Sequence, residues 1–178
     1  RSTLFPYTTL FRSRSSHWDV SKVANFSYTF NNCSSLNTLN LTGWNTEAAT
    51  NMAYMFAGCA RLHEILGVED FDVHLVTSMS YMFSACIGIK KIDLSAWNPQ
   101  ALANASYMFN ACRGMLVIDL HGVKAPLLTN ASYMFINCHS AKIINLDGFE
   151  TGNVTTVAGM FNFCYSVQEL DISGIKVT

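Results

Sequence analysis

Six times along the chain, apolar residues fall into the same places around a cysteine. Leu36, Leu39 and Leu41 follow Cys33 at three, six and eight residues. Ile89, Ile92 and Leu94 hold those places after Cys86, and Met115, Ile118 and Leu120 after Cys112. Ala141, Ile144 and Leu146 follow Cys138, and Val167, Leu170 and Ile172 follow Cys164. Ahead of the cysteines, Phe30, Phe56, Phe83, Phe109, Phe135 and Phe161 stand three residues back. Trp18, Trp44, Phe71, Trp97, Val123 and Phe149 stand fifteen back. Tyrosine sits five residues back in five copies, where the sixth has Gly159, and methionine four back in five. Successive cysteines are 26, 27, 26, 26 and 26 residues apart. The one longer interval reflects an extra residue near Leu66 and Gly67: Leu62 and Ile65 fit the frame, and Val68 replaces the third apolar residue.

The last two apolar places in each unit are two residues apart, so their side chains point to one side of a short strand. One such strand cannot bury its face alone. Stacked copies pair as a parallel sheet, about 4.8 Å from strand to strand, and the apolar places become interior ladders. Residues 25–31 and their counterparts read as short helical turns closing the interior from the other side. Gly43, Ala96, Gly122, Gly148 and Gly174 mark the turn that leaves each strand. The predicted fold is an α/β solenoid: six coils of about 26 residues, with parallel strands on one side and helical turns on the other. Its coils span 18–43, 44–70, 71–96, 97–122, 123–148 and 149–174.

The run WDVSKV at residues 18–23, followed by Y-M-F-x-x-C-x-x-L-x-x-L-x-L, resembles the BspA-like bacterial surface proteins and their leucine-rich repeat. The likeness runs from Trp18 to the end of the chain. Val123 for the aromatic, Gly159 for tyrosine, and Pro99 and Pro126 in the connections depart from it. Each falls in a turn or on one rung, so the fold stands. The resemblance implies an exported protein, often tethered to the cell envelope, that works in adhesion or host contact. Residues 3–13, TLFPYTTLFRS, resemble the translation of a common sequencing-library adapter. Residues 1–16 are therefore expected to be a non-native scar and residues 17–178 a solenoid fragment. A parent protein with further repeats or a cap is expected, because repeat arrays need capped ends.

Composition narrows the function. Half of the residues are hydrophobic and 13% are charged, which speaks against disorder. No apolar run approaches the roughly 18 residues of a membrane helix. Three of the eleven basic residues, Arg1, Arg12 and Arg14, lie in the terminal segment without an acid beside them. That leaves eight basic against twelve acidic residues, net −4, with no basic cluster to grip phosphate. Nucleic acid is not an expected partner.

The candidate chemistry is thin. Six cysteines in an exported chain suggest disulfides, and neighbours in a stack come close enough. One cysteine at one place in every coil, however, behaves as a small buried apolar residue, and a free-thiol ladder is favoured. No CxxC pair suggests zinc. Cys138–His139 and Cys59 with His63 are the only close thiol–imidazole pairs, and neither recurs. His17, His74 and His121 read as surface residues. Asn40, Asp93, Asp119, Asn145 and Asp171 recur between the last two apolar places. They read as turn-capping or solvated residues rather than a cation row, because calcium needs several oxygens converging from one loop. Asp19, Asn45, Asp72 and Asn98, just after the bulky residue, also suit turn capping. The triplets Asn104-Ala105-Ser106 and Asn130-Ala131-Ser132 belong to the repeat frame rather than to glycosylation. No catalytic residue, cofactor or metal is expected.

Between the fixed apolar places the copies differ. Lys90 and Lys91, Leu116 and Val117, and Lys142 and Ile143 occupy equivalent places in three successive coils, and these six are the candidate partner-binding residues. Leu116, Val117 and Ile143 are apolar where a solvated face is expected. An exposed patch of this kind marks an interaction site; edge packing in an imperfect repeat is the equal alternative. The function expected is a non-catalytic protein-interaction scaffold, with a protein or host-surface ligand and no membrane insertion by this fragment. Two other readings are a targeting module for a catalytic domain elsewhere in the parent, and an intracellular repeat regulator or effector. A redox role for the cysteines ranks last.

Overall fold

The computed structural model describes residues 18–168 and 170–177. The 1–16 segment and His17 lie outside them. Within them the chain is a solenoid-like repeat fold whose strand side is built from three-residue segments: β1 (Thr38–Asn40), β2 (Glu64–Leu66), β3 (Lys91–Asp93), β4 (Val117–Asp119) and β6 (Ile143–Asn145). The middle residue of each turns inward. Ile92, Ile118 and Ile144 stack directly across β3, β4 and β6, and Leu39 stacks on Ile65 across β1 and β2. Two-residue strands β5 (Lys124–Ala125) and β7 (Glu150–Thr151), unforeseen in the repeat pattern, pair on another side of the coil.

The interior is the set of ladders the pattern predicts. Phe30, Phe56, Phe83, Phe109, Phe135 and Phe161 form a continuous stack with centroids 5.4–5.7 Å apart. The four middle phenylalanines are fully buried. Leu41, Leu94, Leu120 and Leu146 line the strand side, with Val68 in the second coil. Trp97 bonds through its indole N–H to the Val68 carbonyl at 3.0 Å, so its polar edge is satisfied inside the core.

Two expectations need correction. The sheet is not continuous: β1–β2 and β3–β4–β6 are separate, and among the described residues no strand of the sixth coil joins this face after β6. The opposite side, secondly, carries no helix among the described residues. In residues 26–33 the amides alternate instead. Those of Thr29, Asn31 and Cys33 close turns onto Phe26, Tyr28 and Phe30. Those of Phe26, Tyr28, Phe30 and Asn32 cross to the carbonyls of Asn51, Ala53, Met55 and Ala57 in the next coil. The same alternation recurs in the following coils, with Tyr28, Tyr54, Tyr81, Tyr107 and Tyr133 all at φ between 57° and 61°. The physical reason is spacing. Strands stack at about 4.8 Å, while a helix with its side chains is about 10 Å wide and uses its amides internally. A tight-turn ladder keeps the strand spacing and bonds coil to coil.

Candidate interaction site on the strand face

All six candidate binding residues come together. Lys91 lies beside Val117 and Val117 beside Ile143, in register on β3, β4 and β6. Lys90, Leu116 and Lys142 form the row just before it, since the Leu116 amide donates to the Lys90 carbonyl and the Lys142 amide to that of Leu116. Leu116 and Ile143 are 38% and 52% exposed, while Val117 is half-buried. The face thus runs from Lys90 and Lys91 at the β3 end, across Leu116 and Val117, to Ile143 with Lys142 beside it.

The polar row beside it is occupied with its own turns. Oδ1 of Asn40, Asp93, Asp119, Asn145 and Asp171 accepts the amide two residues on, at 2.8–3.2 Å. The Ser95 hydroxyl also donates to Asp93, and these bonds hold that carboxyl below its ordinary range. His121 is raised by its bond to Asp119. Asp19, Asn45 and Asp72 cap their turns in the same way. Asn98 differs, accepting from the Gln100 side chain. Asn104 and Asn130 accept the amides of Ser106 and Ser132 and sit in a ladder of parallel bridges, the structural role their repetition suggests.

The cysteines face inward and are free. Each thiol from Cys59 onward donates to the carbonyl of the phenylalanine one coil back, at 3.0–3.2 Å. Burial pushes Cys59 and Cys112 up to about 12 and Cys86 well above its ordinary value. Cys138 is raised as well, first by its bond with Cys164 and then by burial. Thiolate is the reactive form, so these groups are inert at neutral pH. His139 packs on Tyr165 and His63 bonds to the Arg61 carbonyl, so neither imidazole is spent on a thiol. A disulfide-exchange reagent is expected to find six free thiols after denaturation. In the folded protein, half-buried Cys33 and Cys164 should react first and the four interior thiols only with unfolding; fast labelling of Cys86 would overturn the buried ladder.

One feature of this face is not among the candidate residues drawn from the repeat. Where β2 and β3 fail to pair, a cleft of ≈ 690 Å³ opens. Ile65, Leu66, Val68, Ile89 and Ile92 are the larger apolar residues lining it, Glu64 and Glu69 stand on one wall, and Lys90 and Lys91 on the other. Its signal in the sequence is the 27-residue interval between Cys59 and Cys86.

No curated protein matches the chain. A crystal structure of a leucine rich repeat protein of T. pallidum is similar at 17% identity and a TM-score of 0.46, over 80% of this chain and 70% of that one. A family model matches residues 1–68, 65–144 and 125–178, and the chain accordingly belongs to the family described as Mycoplasma protein of unknown function, DUF285.

Proposed function

We propose that this solenoid is a non-catalytic scaffold of the leucine-rich-repeat kind, displayed at a bacterial cell surface, whose strand face binds a protein partner. The observation that carries the reading is the registered pair of rows, Lys90–Leu116–Lys142 and Lys91–Val117–Ile143, on an otherwise fixed frame. The frame residues are buried and repeat, while the outward ones change from coil to coil and end in two exposed aliphatic side chains. A patch of that composition, flanked by cations, suits a partner offering an apolar anchor within an acidic rim. Surface display follows the BspA-like resemblance.

The test is a double variant, Leu116→Asp with Ile143→Asp. Both side chains are exposed, so stability is expected to change by less than about 1 kcal/mol. Binding of the labelled protein to host cells should fall at least tenfold, by about 1.4 kcal/mol or more. Unchanged binding with unchanged melting would remove the strand face as the contact. Digestion of the protein by protease added to intact expressing cells checks the surface location.

A further inference from the structure

We propose that the cleft between β2 and β3 receives an extended polypeptide segment as an added strand. The proposal deepens the scaffold reading above and rests on it.

The cleft has a local cause. In the second coil the third inward place falls one residue late, on buried Val68, and Gly67 is the extra residue. Its φ of +82° is open to glycine, and a Cβ there would lie 2.6 Å from the Thr42 amide nitrogen. A glycine bulge of this kind bends one strand away from its neighbour. Most Cα–Cα separations between β2 and β3 exceed 8 Å, against about 4.8 Å between bonded strands. Two such steps, about 9.6 Å, are what a strand seated between them needs.

The opening is confined to the strand side. On the turn side the same two coils stay bonded, by Met52 to Ser78, Tyr54 to Ser80 and Phe56 to Met82 at 2.9–3.0 Å. At one end of the cleft Gly88 packs so closely that a Cβ would sit 2.5 Å from the Leu62 carbonyl. At the other, the Trp97 indole holds the Val68 carbonyl.

The walls carry backbone groups that the neighbouring coils spend on each other. Between β3 and β4, the amides of Leu116 and Val117 donate to the Lys90 carbonyl and that of Leu94 to Asp119. The corresponding bonds one coil earlier run from Lys90 and Lys91 to the His63 carbonyl, and from Gly67 to Asp93. Among the described residues they are not made. The cleft therefore presents strand edges on both sides, as in recognition by strand addition. A guest strand supplies both to each wall: it accepts from the Lys91 amide and donates to the Asp93 carbonyl on one side, and donates to the His63 carbonyl and accepts from the Gly67 amide on the other. Its middle side chain would face inward between Ile65 and Ile92 and so be aliphatic. The outward residue before it would stand between Glu64 and Lys91, which suits a neutral side chain that both donates and accepts, such as Thr, Asn or Gln.

The test uses the whole chain, labelled for amide hydrogen exchange by NMR, and a blocked synthetic peptide copying residues 35–41, SLNTLNL. That segment has the polar–aliphatic–polar alternation required. In the free protein the Lys91 amide should exchange at least about tenfold faster than the bonded Val117 amide. Adding the peptide should slow Lys91 at least about tenfold and leave Val117 unchanged. A peptide N-methylated at alternate amides should do neither. Deleting Gly67 restores the 26-residue interval, and should protect Lys91 without peptide and abolish binding; if that variant does not fold, the N-methylated control decides. Equal protection of Lys91 and Val117 in the free chain overturns the proposal, as does binding that survives N-methylation. Protection of Lys91 that grows with protein concentration alone also overturns it, placing a second copy in the cleft. Each failure leaves the Leu116 and Ile143 patch standing, because the double variant reads that patch separately.

Discussion

Phe83→Ala is expected to destabilise the solenoid by about 3–5 kcal/mol and to divide its unfolding into two steps. The ring is fully buried between Phe56 at 5.4 Å and Phe109 at 5.5 Å, with Trp97 tilted against it at 6.5 Å. Truncation leaves a cavity on both faces of one rung, and the Phe83 carbonyl, which accepts the Cys86 amide and the Cys112 thiol, limits collapse of the backbone into it. The position matters as much as the residue. A repeat array is held by its own coils and by nearest-neighbour contacts, and β2 of the second coil does not pair with β3 of the third. The Phe56–Phe83 contact is thus a larger share of their interface than its counterparts elsewhere. Phe161→Ala provides the comparison: Phe161 is half-buried and stacks only on Phe135 among the described residues, so about 1–2 kcal/mol is expected. Urea unfolding followed by tryptophan fluorescence reads both, since Trp44 and Trp97 fall on either side of the weakened interface. Equal losses at the two positions, with one transition each, would sink the nearest-neighbour account.

How far the sequence discloses this structure depends on whether a property follows from the period. The inward ladders do. Once the interval is 26, residues one period apart stack, and Ile92, Ile118 and Ile144 meet without further information. The same holds for the outward rows, so Lys91, Val117 and Ile143 are neighbours by arithmetic. The arithmetic fails at the 27-residue interval, and there the sheet parts. The extra residue at Gly67 is visible in the sequence, but the bend it gives the strand face depends on its φ of +82° and on its contact with Thr42. Helical turns were the other misreading, because an apolar run such as Y-M-F-x-x-C suits one face of a helix as well as a stack of turns. A discriminating signal stands one residue before the cysteines, where Asn32, Gly58 and Asn137 all have positive φ. Asparagine and glycine are the residues that best tolerate it. Ala85, Ala111 and Phe163 hold the same conformation in the other copies and mask the signal. The sixth coil is half-exposed at Leu170 and exposed at Ile172 because it has a neighbour on one side only among the described residues. An apolar place is legible in sequence, but its burial requires the next coil.

Substitutions at Tyr81 are expected to separate the turn ladder from a helix by the order of their effects. Tyr81 has φ of 57°, its amide donates to the Ser106 carbonyl at 3.0 Å, and its ring stacks on Tyr54 and Tyr107 at 4.6 and 4.5 Å. Tyr81→Pro fails on two counts, since proline is fixed near −65° and has no N–H for the next coil. A loss of at least about 3 kcal/mol follows, and it falls on an interior rung that both neighbouring coils share. Tyr81→Ala and Tyr81→Gly each lose the stacking, about 0.5–1.5 kcal/mol for each ring pair. They differ in the backbone. At positive φ a Cβ costs roughly 1–2 kcal/mol that glycine escapes, so the glycine variant should be the more stable of the two. In a helix the sign reverses, with alanine favoured by about 1 kcal/mol. Gly159 already occupies this place in the sixth coil at the same φ of 57°, and the ring of Tyr133 lies over it. Urea midpoints for the three variants give the order directly. Glycine above alanine above proline supports the ladder, and alanine above glycine would return the segment to a helical turn.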